Sequence, residues 1–212
     1  MPALVTAFYL WTRAADQYAS DVAFSVRTEE KGSAIELLGG ITELSGSSSS
    51  DTDILYLSAN KAIDSDTRKA IFDRVNAGKL NILINHPSTW YNWNDWPEYN
   101  KELVGGGSTS HEKLQTFEVK VLKPNHPIMK GVPSRFRIYD ELYRWKKDPE
   151  GTEIEVLAMG RGLKSGEEFP VVWVVKHPKA KIIGNTLGHD ERAHDLKAYK
   201  TILKNSLYWV KE

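Results

Sequence analysis

The sequence predicts an α/β fold with a mostly parallel, flavodoxin-like sheet, helices on both faces and a long aromatic-rich loop excursion, and three observations carry that expectation. Short, continuously apolar runs recur along the chain, as in strands buried on both faces. Two of them enclose a helical pattern of the length a parallel crossover needs. A second helical pattern closes the chain, so strands and helices alternate. With 212 residues, one domain spanning 1–212 is expected.

Taken in order, Ala3 to Trp11 reads as a first strand, and Ala14 to Gly39 as helical in places. Ser45 to Ser50 is a low-complexity loop with nothing to bury. Asp53 to Ser58 is a strand, and Asp64 to Gly78 a helix that begins with acidic and hydroxyl capping residues, carries Ile71, Phe72 and Val75, and stops at Gly78. Leu80 to Ile84 is the next strand and completes a β-α-β unit. Phe117 to Leu122 and Glu153 to Met159 read as strands, while Val171 to Val175 and Lys181 to Gly184 are a hairpin or two sheet strands. A last helix runs from about His194 to Val210 with Leu196, Tyr199, Leu203 and Leu207 as its buried stripe.

Composition removes several functions. The 28 basic and 28 acidic residues leave no net field for nucleic acid or an anionic membrane. No run nears the roughly 20 apolar residues of a membrane span, and the apolar start lacks a basic leader, so the cytoplasm is expected, with the periplasm open. Without cysteine there is no disulfide, thiolate metal site or cysteine nucleophile.

The residues with chemistry to offer lie where such strands end, because ligands of open parallel sheets bind beyond the carboxyl ends. His86 stands two residues past Ile84 with Pro87 after it; it either bonds its own loop or serves as acid, base or metal ligand. Trp90 to Tyr99 holds five aromatic residues in ten positions. Trp90, Tyr91, Trp93 and Trp96 with interleaved Asn and Asp fit a sugar-sized ligand, or pin the loop to the domain, or form a face for a homo-oligomer. Gly105-Gly-Gly107 lacks the lysine of a phosphate loop and reads as a flexible link to His111. Of Asp140 and Glu141, adjacent on a strand, at most one faces a site, and Tyr143 follows beside them. His189, in Leu187-Gly-His-Asp190, marks a second strand end. His126, His177 and His194 sit in turn or helix-start contexts and read as structural.

In order and spacing, Ile84-Asn-His86, Trp96-Pro-Glu-Tyr99 with Leu103-Val-Gly105 and His111, Asn125-His-Pro127 with Gly131-Val-Pro133, Asp140-Glu-Leu-Tyr143 and Leu187-Gly-His189 resemble the trehalose-utilisation, or ThuA-like, family. The resemblance covers roughly residues 51 to 212; residues 1 to 50 depart from it, with no histidine in Tyr9 to Arg13. It implies a variant of the class I glutamine amidotransferase-like fold and a small-molecule sugar as substrate, a disaccharide, glycoside or keto-sugar. The amidotransferase chemistry of that fold is excluded by the missing cysteine. The enzyme expected from this resemblance uses His86 and His189 as acid and base, Glu141 as their partner and His111 beside them, with Tyr143 in the sugar wall. His86, His111, Glu141 and His189 are also the donors for a divalent metal such as zinc. The competing expectation is a carbohydrate-binding or assembly module without chemistry.

Overall fold

In this computed structural model the described residues are 24–26, 52–58, 63–90 and 96–212. The expected first strand, the Ser45 to Ser50 loop and most of Ala14 to Gly39 lie outside them; the one described piece of the last, Phe24–Val26, is a strand (β1) rather than helix.

The β-α-β unit forms as expected. β2 (Asp53–Leu57) and β3 (Leu80–Asn85) pair in parallel, with Leu55 opposite Ile82 and Leu57 opposite Ile84. The helix between them, α1 (Ser65–Asn76), starts because the Asp64 carboxylate accepts the Thr67 N–H at 2.9 Å. It stops where Gly78 takes φ 71°.

The remaining strands are β4 (Gly106–His111), β5 (Gln115–Val121), β6 (Arg135–Asp140), β7 (Tyr143–Lys147), β8 (Ile154–Gly162), β9 (Glu168–Val175) and β10 (Ile182–Asn185). The main sheet has the order β1-β2-β3-β10-β9-β8-β5-β6, and β4 with β7 makes a separate two-stranded ribbon. Here the expected flavodoxin-like parallel sheet is corrected. Among the described strands of the main sheet, β2–β3 and β3–β10 are parallel, and β1–β2, β10–β9, β9–β8, β8–β5 and β5–β6 are antiparallel. The links 163–167 and 176–181 are shorter than the dozen or so residues a parallel crossover requires, so those strands turn straight back.

Helices do cover both faces, and strand alternation decides which residue meets which. Leu83, Ile183, Val172 and Val174 join the core that holds Tyr199, Ile202 and Val210 of the last helix. Ile82, Ile84, Ile182, Trp173 and Val175 join the core that holds Ile71 and Val75 of α1. The last helix is split: α2 (Glu191–Asp195) and α3 (Lys197–Lys211) meet at extended Leu196. Of the expected stripe, Tyr199 is buried and Leu196 and Leu203 pack, partly buried, against the core. Ala198, Tyr199, Ile202, Ser206 and Val210 are buried, whereas Leu207 is 39% exposed.

The sheet curls. Four strand steps separate β10 from β6, about 19 Å in a flat sheet at ~4.8 Å per step, yet the Asp140 carboxylate at the end of β6 lies 2.7 Å from the Gly188 nitrogen just past β10. Gly105-Gly-Gly107 is not a flexible link. Gly105 ends a π-helical turn (Tyr99–Val104) at φ 74°, and Gly106 opens β4 so close to β7 that a Cβ there would stand 2.3 Å from the Lys146 carbonyl. Among the described residues no helix is long and apolar enough to cross a membrane.

Candidate active site

The parallel pairing of β3 with β10 decides where the two key histidines go. Asn85 and Asn185 end the two strands in direct register, so His86 and His189, one and four residues further on, emerge side by side. Their rings lie 5.4 Å apart, edge to face. Beneath them the strand ends are tied together. Asn185 Nδ2 donates to Asn85 Oδ1 at 3.0 Å, Asn85 Nδ2 donates to the Tyr56 hydroxyl at 2.6 Å, and Asn185 Oδ1 accepts the Leu187 N–H at 3.0 Å.

His86 begins a 3-10 turn (His86–Thr89) whose geometry is fixed at both ends. The Thr89 hydroxyl donates to the His86 carbonyl at 2.8 Å and shares a 3.0 Å hydrogen bond with the buried Ser108 hydroxyl. The Tyr99 hydroxyl donates to the Ser88 carbonyl at 2.8 Å, and Asn100 Nδ2 donates to the Trp90 carbonyl at 2.7 Å. His86 Nδ1 is buried and has no hydrogen-bond partner among the described residues. Burial, reinforced by His189 and His194 nearby, pulls its pKa down to about 3, so it is a neutral imidazole at pH 7.

The curl brings the β6–β7 corner to the same place. The Glu141 Oε2 lies 3.2 Å from His111 Nδ1 and 3.7 Å from His189 Nε2, so one carboxylate stands between two imidazoles. The Glu141 side chain is 15% exposed, whereas His111 and His189 are 38% and 46% exposed, so the pair opens to solvent from above. His111 Nδ1 is also 3.0 Å from the Glu112 carbonyl, and its own carbonyl accepts from Arg144 at 3.3 Å.

Aromatic rings edge this cluster. Tyr143 lies 5.6 Å from His111, 6.5 Å from His86 and 5.4 Å from Trp90, ring centre to ring centre, and Trp90 lies 6.0 Å from His111. Burial, with Glu141 and Asp140 adding to it, pushes the Tyr143 phenol above its ordinary range and keeps it protonated.

The structure thus brings together His86, His111, Glu141, His189, Trp90 and Tyr143. Trp96 goes elsewhere: it is 4% exposed and packs on Tyr99 at 4.8 Å, on Phe72 at 5.9 Å and under Arg68. Tyr91 and Trp93 lie outside the described residues. His126 and His177 cap turns, with their Nδ1 atoms accepting backbone N–H groups. His194 Nε2 donates to the Gly188 carbonyl at 2.8 Å and holds the His189 loop from behind.

Sequence reasoning missed the supports. Asp140, paired in the sequence with Glu141 as neighbours of which at most one faces a site, is fully buried and accepts the N–H groups of Gly188, His189 and Asp190. Asn85 and Asn185 carried a signal that went unread: each is an amide directly following an apolar strand. Among the described residues no three His, Asp or Glu side chains form a group arranged to hold a metal ion.

Comparison with known proteins agrees with this picture. The chain is similar in structure to a protein described as ThuA-like from Parabacteroides merdae ATCC 43184, with TM-score 0.66 and 20% identity over 81% of this chain and 78% of that one. A second ThuA-like protein, from Bacteroides uniformis ATCC 8492, gives TM-score 0.64 and 22% identity over 74% and 68%. A cytoplasmic protein from Salmonella typhimurium LT2 shares the fold at TM-score 0.53 and 14% identity, over 71% of this chain and 62% of that one. No curated protein matches. The family model for trehalose utilisation matches residues 14–210, which extends the family likeness back through most of the first 50 residues that seemed to depart from it. The chain belongs to the ThuA, trehalose-utilisation, family, and that membership implies a role in carbohydrate metabolism.

Proposed function

We propose that this chain acts on a keto-sugar or a glycoside bearing a carbonyl, and that its reaction is removal of a proton from the carbon beside that carbonyl. The observation that carries the reading is the Glu141 carboxylate between His111 and His189, 3.2 and 3.7 Å away, with the neutral ring of His86 against His189.

The roles divide by environment. Sequence reasoning paired His86 and His189 as acid and base; a histidine with a pKa near 3 is too weak a base at neutral pH. His189 is therefore the base, held by Glu141, which stabilises the imidazolium once the proton has moved. The C–H electron pair shifts to the carbonyl oxygen, and His86 as a neutral N–H donor stabilises the resulting enolate. Where the deprotonated carbon bears a hydroxyl, passage of that hydroxyl's proton to the enolate oxygen and return of the abstracted proton to the former carbonyl carbon give an isomerisation. Expulsion of a β-alkoxide, protonated by His189, gives an elimination. Trp90 and Tyr143 supply the flat apolar surface on which a sugar's C–H face rests.

The test is turnover of a keto-glycoside by purified protein. His189→Ala and Glu141→Gln should each lower kcat by about 100-fold or more with the fold retained, in line with loss of a general base. Wild-type rates in either variant would refute the assignment. The second reading, a sugar-binding module, draws on the same Trp90 and Tyr143 rings; it requires wild-type sugar affinity in both variants and no turnover in any.

A further inference from the structure

Asp140 is the last residue of β6 and has no exposure to solvent. Its Oδ2 accepts the Gly188 N–H at 2.7 Å. Its Oδ1 accepts the N–H groups of Glu141 at 2.9 Å, Asp190 at 3.0 Å and His189 at 3.2 Å. A buried carboxylate is costly unless donors surround it, and here the main chain supplies them from two segments. No strand ladder joins β6 to β10, since β9, β8 and β5 lie between them. The same oxygen atom therefore binds the backbone of both residues whose side chains meet 3.7 Å apart.

We infer that Asp140 is a positioning residue: through Oδ1 it sets the separation of the Glu141 carboxylate from the His189 imidazole. The consequence for turnover rests on the function proposed above; the geometry does not. Asparagine at this position keeps the shape but turns one oxygen into a donor. Whichever way the amide faces, an NH2 group meets either the Gly188 N–H or the three on the other side. The loop carrying His189 must then shift, and a shift of about 1 Å at a reacting pair costs about 100-fold in rate.

The experiment compares the imidazole nitrogen-15 signals of His189 in wild type, Glu141→Gln and Asp140→Asn, with circular dichroism to verify the fold and steady-state kinetics on a keto-glycoside in parallel. Asp140→Asn should move the His189 signals in the same direction as Glu141→Gln. It should also lower kcat about 10- to 100-fold while KM stays within about twofold. His189 signals left at their wild-type positions by Asp140→Asn but moved by Glu141→Gln would overturn the inference. The spectroscopic arm needs no turnover, so an inactive wild type refutes the proposed function and leaves this result to be judged separately. Should Asp140→Asn not fold, Asp140→Ser, which keeps one small acceptor, is measured in its place.

Discussion

At the scale of single residues, the environment of each histidine says more than its place in the sequence. His86 lies buried against His189, and its pKa of about 3 is below the 6.5 of an unfolded chain. The unfolded state therefore binds the extra proton between these two values, so stability should fall as pH drops from about 6.5 towards 3, by at most about 1.4 kcal/mol per pH unit from this group. Urea unfolding of wild type and His86→Gln at pH 7 and pH 4.5 checks this. The variant should lose less stability on acidification, and equal losses would contradict a neutral buried His86. His86 and His189 were legible as candidates because each follows an apolar strand, whereas Glu141 and His111 were marked by the family resemblance. The role of Asp140 was not legible, since nothing in Tyr139-Asp-Glu-Leu142 tells which carboxylate turns inward until β10 is known to lie across from it.

Elements were legible where the signal is local. Asp64 capping and Gly78 stopping α1 need only their own neighbours, and that helix stands within a residue or two of its expected bounds. Strand direction is a tertiary property: the runs at Val171 to Val175 and Lys181 to Gly184 read equally as parallel or antiparallel, and the six-residue link 176–181 decides it. β4, β6 and β7 escaped notice because their sequences mix polar and charged residues with the buried ones, so no continuous apolar run marks them. The paired amides at the ends of β3 and β10 carry the prediction at this scale. Asn185→Ala leaves Asn85 Oδ1 and the buried Leu187 N–H without their partners, at about 1–3 kcal/mol each, so thermal or urea unfolding should show a loss of roughly 2–6 kcal/mol. A loss below about 1 kcal/mol would mean that the pair contributes no tie between the strands.

For the whole molecule, the curl of the sheet is what makes a site out of dispersed residues. Histidines on the parallel half, after β3 and β10, meet a glutamate at the β6–β7 corner and a histidine at the end of β4 in the separate ribbon. Sequence alone placed His86 and His189 at strand ends but had no means of folding Glu141 and His111 onto them. The aromatic loop divides in the same way: Trp90 stands at the site, while Trp96 is a core residue, so a Trp96→Ala variant reports on stability and Trp93→Ala is the fitting probe for self-association by light scattering. The central claim is that His189 and Glu141 move a proton beside a sugar carbonyl. Its most direct measurement is proton exchange into a keto-glycoside in deuterium oxide, followed by nuclear magnetic resonance. Wild type should place deuterium on the carbon next to the carbonyl, and His189→Ala and Glu141→Gln should leave it unlabelled beyond the uncatalysed rate; a sugar that binds without exchanging, or that exchanges as fast in both variants, would contradict the account.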